Sequence, residues 1–183
     1  MGRKSKANER LGETFVNQMG SMFFIKEYYG ANNVVAKFTD EHGVEVHTTW
    51  QNCKKGEVKN PYDKTVYGVA CIGEGDFKTS VNSKPTREYQ LWLQMLRRCY
   101  GGEEQYKTYA NVTVCERWLV FANFLEDLPK IENYEYWLDN PNQGIAMDKD
   151  LKQQDADFKV YSLETVMFVS ASDNSKEVHN RNK

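Results

Sequence analysis

Short runs of alternating apolar and polar residues fill the first third of the chain, each bounded by Gly, Asn or Asp. The pattern predicts strands over residues 13–19, 22–29, 34–39 and 44–49, with turns between them. A polar loop over 54–63, holding Gly56 and Pro61, separates these from a fifth apolar run over 66–72. Four strands within about fifty residues suit a small SH3-like β-barrel or an open sheet. Beyond 73–85, a Gly-containing stretch taken as the domain boundary, the period becomes helical. Tyr89, Trp92, Leu93, Leu96 and Cys99 predict a helix over 86–100, with Thr86 as N-cap and Gly101-Gly102 as its stop. Residues 112–114 read as a short extended run. Trp118, Phe121, Phe124 and Leu125 predict a second helix over 116–128, ended by Pro129. Residues 130–146 read as an irregular insertion, within which Trp137 is an exposed anchor for a protein interface. Residues 147–151 and 166–169 read as the two strands of a hairpin. The whole is an α+β chain: a basic flexible tail over 1–10, an N-terminal β module over 11–75 and an α+β module over 84–178.

Composition narrows the function classes. At 183 residues the chain buries enough surface to fold without disulfides or a structural metal. A net charge of −2 argues against a protein that coats nucleic acid through overall charge, but leaves room for a local basic face. Eleven Tyr, nine Phe and four Trp serve equally as core or as stacking surface for bases. No run approaches the ~18 apolar residues of a membrane span, and no signal-peptide-like segment follows the basic start. No membrane partner and a cytoplasmic location, in a host cell, are therefore expected. Cys53, Cys71, Cys99 and Cys115 form no Cys-x-x-Cys pair and read as reduced thiols packed as small hydrophobes.

Five segments, in order, carry a family resemblance: MLRRCY (95–100), VCERW (114–118), FANFLEDLP (121–129), MDKDL (147–151) and KVYSLETVMFV (159–169). Over 86–174 the chain resembles phage proteins described as degenerate HNH (His-Me finger) endonuclease-like or AP2-linked. The resemblance implies an HNH-like ββα region with preceding helices, built around one divalent metal. In active members a His at the end of the first strand is the general base, and the metal stabilises the leaving oxygen. In this chain Asp148-Lys149-Asp150 occupies that position, and the three histidines are His42, His47 and His179. Loss of a positioned base costs roughly 10²–10⁴-fold, so nuclease activity is expected to be reduced or lost.

The resemblance also implies a site. Asp148, Asp150 and Asn174 are the candidate catalytic residues, and Asp148, Asp150 and Glu164 the candidate Mg2+ ligands, carboxylates being hard oxygen donors. Asp148 read structurally caps a turn or pairs with Lys149 or Arg117. Arg97, Arg98, Lys107, Arg117 and Lys149 are the candidate phosphate-binding residues. Acidic residues dominate 126–157, a segment that would repel a DNA backbone. The leading expectation is a phage-encoded, HNH-like nucleic-acid-binding protein with DNA as partner. Two alternatives stand beside it: an anti-defence (anti-CRISPR-type) inhibitor that binds a host nucleoprotein defence complex, and an active Mg-dependent endonuclease using Asp in place of His.

Overall fold

The computed structural model describes residues 7–154 and 156–170, without the side chains of Ala7, Asn8 and Thr108. The chain divides into two units, 1–65 and 66–183.

The first unit begins with a helical turn, α1 (Ala7–Arg10). Strands β1 (Thr14–Val16), β2 (Met22–Gly30), β3 (Asn33–Phe38) and β4 (Glu45–Thr48) then form an antiparallel meander in sequence order. Alternation along β2 and β3 turns Phe23, Ile25, Val34, Ala36 and Phe38 into one core, joined by Val44 and Val58. Helix α2 (Trp50–Lys55) adds Cys53 to it. Thr49 accepts from Asn52 N at 3.2 Å to start this helix, and Gly56, at φ 67°, ends it. Of the two architectures expected, the sheet is the open one. A barrel does not form because β1 has only three residues and the 66–72 run, which would lengthen the sheet, belongs to the second unit. The tail expected to be flexible over 1–10 is held at its end: Arg10 lies 3.9 Å over the Trp50 ring and donates to the Tyr28 hydroxyl. Residues 1–6 lie outside the described residues.

In the second unit the 66–72 run is not a strand but two isolated bridges, Val66↔Ala70 and Cys71↔Val120. Strands β5 (Ser80–Val81) and β6 (Lys84–Pro85) make a small hairpin where a linker was expected. Helix α3 (Arg87–Tyr100) follows, capped by Thr86. A 3-10 segment (Glu104–Tyr109) leads to β7 (Val112–Val114). The helix expected over 116–128 is broken into a 3-10 turn (Glu116–Leu119) and α4 (Phe121–Asp127). The cause is Val120, which stays extended because Cys71 N donates to Leu119 O and Phe121 N donates to Cys71 O. The expected irregular insertion contains α5 (Tyr134–Asp139). Trp137 on it is not an exposed anchor: it is buried, stacked on Phe168 at 5.1 Å, with the Arg87 guanidinium 3.8 Å from its ring centre.

Strand β8 (Ala146–Asp148) pairs antiparallel with β10 (Met167–Val169), opposing Asp148 to Met167. Between them β9 (Lys159–Tyr161) pairs parallel with β7 instead, so the expected simple hairpin is opened by an inserted strand. Trp92, Leu96, Trp118, Phe121, Phe124 and Phe168 form the fully buried centre, tied by Trp92 Nε1 donating to Trp118 O at 2.7 Å. Full burial of each ring contributes about 2–3 kcal/mol. No described helix is long and apolar enough to cross a membrane. The fold class is α+β.

Candidate nucleic-acid interface

The end of β8 places the expected catalytic pair. Asp148 is buried, and its Oδ1 accepts from the backbone N of Asp150 (2.8 Å) and of Leu151 (2.9 Å). A short carboxylate that bonds backbone two and three residues on closes a turn, and that is how the chain leaves the strand. Asp150 accepts from Lys149 Nζ at 2.8 Å and from Lys159 Nζ at 2.5 Å. Burial works to raise the Asp150 carboxyl, but the two lysines outweigh it and hold its pKa below the usual carboxylate value. Gln153 braces the connection to β9, donating to the carbonyls of Lys149 (2.8 Å) and Val160 (2.9 Å) and accepting from Val160 N (3.0 Å). As arranged, three of the four carboxylate oxygens of this pair already accept from backbone amides and ammonium groups, which leaves too few donors for a magnesium site. Glu164 is elsewhere: it accepts from Ser162 Oγ at 2.7 Å and lines a separate cleft with Cys115, Arg117 and Asp127. Among the described residues, no group of three or more His, Cys, Asp or Glu is arranged to hold a metal. Asn174 lies outside the described residues, as does His179.

Lys149 itself is 5% exposed, with Nζ 4.6 Å from the Tyr109 ring centre and 5.9 Å from that of Tyr161. Those tyrosines lead to the last turn of α3. Arg98 lines a cavity of about 210 Å³ there, with Cys99, Gly102, Glu103, Tyr106, Lys107, Tyr109 and Ala110. Burial acts to lower the Arg98 pKa, and the neighbouring Tyr161, Tyr109 and Tyr106 outweigh it and raise the value above the usual one. Burial pushes the Cys99 thiol up to about 11, against the opposing pull of Lys149 and Arg98, which both act on it. Arg98 and Lys149 thus share Tyr109 and Tyr161 as neighbours, and of these four residues Arg98 and Tyr109 line the concavity.

The other expected phosphate contacts are occupied. Arg97 makes a two-pronged pair with Glu103 at 2.5 and 2.9 Å. Lys107 pairs with Glu104 at 2.5 Å. Arg117 pairs with Glu126 and Asp127, both at 2.7 Å. The acidic segment is answered in the same way: Asp127 also holds Lys130 (2.9 Å), Glu132 holds Lys152 (3.0 Å), and Asp150 holds its two lysines. Among the described residues of the second unit, Lys78, Lys84, Arg87 and Arg98 are the cations with no carboxylate within ion-pair distance. Arg87 is spent on the Trp137 ring and on the carbonyls of Trp137 and Leu138, which leaves Arg98 and the two lysines.

Sequence reasoning named Arg98 and Lys149 but missed the tyrosines around them. The Tyr106-x-x-Tyr109 spacing was a signal, but the strand that brings Tyr161 to it was not legible from local pattern. Comparison with protein-family models, curated proteins and solved structures returns no match for this chain.

Proposed function

We propose that this chain is a nucleic-acid-binding protein of HNH-like kind, in which the second unit engages phosphates and the site of carboxylate catalysis has become structural. The observation that carries the reading is Arg98: a half-buried guanidinium among tyrosines, with no carboxylate within ion-pair distance, lining a concavity with the Tyr106 and Tyr109 rings. A guanidinium without an ionic partner gains a charge-assisted hydrogen bond when a phosphate arrives, whereas Arg97 or Arg117 would first give one up. Tyr106 and Tyr109 beside it supply faces of the kind on which bases stack. The five-segment resemblance supports the same class. The inhibitor reading has less to rest on, since Glu126, Asp127, Glu132 and Asp150 are ion-paired and Trp137 is buried.

Fluorescence anisotropy with labelled duplex and single-stranded DNA, across a salt series, tests this. Binding is expected to weaken linearly in log–log coordinates, with a slope of about −0.9 per phosphate contacted on duplex. Arg98→Ala is expected to make that slope shallower by about 0.9, and Tyr106→Ala to weaken single-strand binding without changing it. Absence of binding to either DNA at low salt would reject the proposal. Metal-dependent nicking by the parent that Asp148→Asn abolishes would reject the turn-only role of Asp148 and restore the endonuclease reading.

A further inference from the structure

The 79–86 hairpin has no task in the site described above, and its construction is unusual. Asn82 and Ser83 both adopt positive φ (49° and 62°), the two-residue turn whose twist matches that of paired strands. Ser83 has a side chain where glycine is the easy choice, and the pairing of the flanking strands holds the turn. Both feet are anchored. Phe77 packs edge-on against Phe121 at 5.3 Å, and the close approach of Gly75 to its ring leaves no room for a Cβ. On the other side Thr86 caps α3, and Gln90 Nε2 donates to Pro85 O at 3.3 Å. Thr86 N donates to Thr79 O at 2.9 Å across the base.

The tip meets nothing. Ser80, Val81, Lys84 and Pro85 are exposed, Val81 to 54%, and among the described residues the side chains of Asn82, Ser83 and Lys84 have no hydrogen-bond or ionic partner. From Phe77 to Arg87 the sequence has no carboxylate, in a chain with 26 of them. Lys78 and Lys84 are two of the three cations left available in the second unit. An ordered ribbon with its donors unspent and no negative charge is built to meet an anion of matching shape.

Resting on the nucleic-acid reading above, we infer that this hairpin is an arm that enters a groove of double-stranded nucleic acid. Its paired backbones stand about 4.8 Å apart, and the major groove, about 12 Å wide, admits a two-stranded ribbon. Lys78 and Lys84 then meet phosphates at the groove edges, Ser80 and Asn82 face base edges with donors and acceptors, and Val81 offers an apolar surface to a thymine methyl. α3 carries the arm at its start and Arg98 at its end, about 17 Å apart along the axis at 1.5 Å per residue. That spacing equals about five base pairs at 3.4 Å each.

The test uses the full chain with a 30-base-pair duplex and its single strand, in the same salt series. The Lys78→Ala/Lys84→Ala variant is expected to melt as the parent does, and to lose about 1.8 from the duplex salt slope, two contacts at about 0.9 each. Val81→Glu, which adds charge on an exposed tip, is expected to weaken duplex binding and leave single-strand binding near the parent's. If the double variant keeps the parent's duplex affinity and slope while Arg98→Ala loses binding, the arm is overturned and the wider reading stands. Equal losses on duplex and single strand overturn groove entry. A parent protein that binds neither DNA removes the arm together with the reading it rests on.

Discussion

Asp127 shows how a single carboxylate organises the second unit. It is buried, yet Arg117, Lys130 and the Trp118 indole all donate to it. The Arg117 hydrogen bond leads in holding its pKa far below the usual range, against the opposing effect of burial. The unfolded chain therefore takes up this proton first as pH falls. The stabilisation is complete above the ordinary carboxylate pKa of about 4 and is lost progressively below it. Asp150, lowered in the same direction, adds to the loss. Melting temperature is expected to fall steeply between about pH 5 and pH 2, and Asp127→Asn to flatten that profile while costing about 2 kcal/mol at neutral pH. Arg117 is half exposed, so the cost resides mainly in the bonds lost at the buried carboxylate. At this scale the sequence located Asp148 and Asp150 but not their partners. A carboxylate next to Lys149 in the chain looks the same whether it awaits a cation or has found Lys159 at the start of β9.

Elements were legible where one periodicity ran unbroken. The apolar face of α3 and its Thr86 cap follow from local pattern, and Thr86→Ala is expected to cost about 1 kcal/mol, read by chemical denaturation. The 116–128 run failed as one helix because Cys71, distant in sequence, claims the backbone at Leu119 and Phe121; no local propensity carries that information. Helices α2 and α5 have six residues each, too few for a period to show. Gly56 illustrates a cue that was present. It ends α2 at φ 67°, and a Cβ there would lie 2.9 Å from Val16 O. Gly56→Ala is expected to destabilise the first unit by more than the about 1 kcal/mol of conformational strain alone, because backbone must also move.

At the level of the molecule, each unit has its own core, one centred on Phe23 and Phe38, the other on Trp92 and Trp118. Scanning calorimetry is expected to resolve two transitions, and Phe38→Ala, at about 3–4 kcal/mol, to lower one of them alone. A single transition that moves as a whole would show the two cores to be one cooperative system. Charge is divided as well: ten Lys and Arg stand against eight Asp and Glu in residues 1–65, and fourteen against eighteen in 66–183. The second unit is thus net acidic, and only the pairing pattern shows which of its cations remain for a partner.

Tyr161 carries a consequence at the opposite end of the pH scale. Its phenol is 1% exposed, and burial drives its ionisation far above the ordinary tyrosine value, with Tyr109 adding to the effect and Arg98 opposing it. The unfolded chain surrenders this proton near pH 10 while the folded one retains it, so alkali pulls the strand pairing of β9 apart. In an ultraviolet titration, its phenolate absorbance should emerge only together with loss of circular dichroism, as a late, cooperative step.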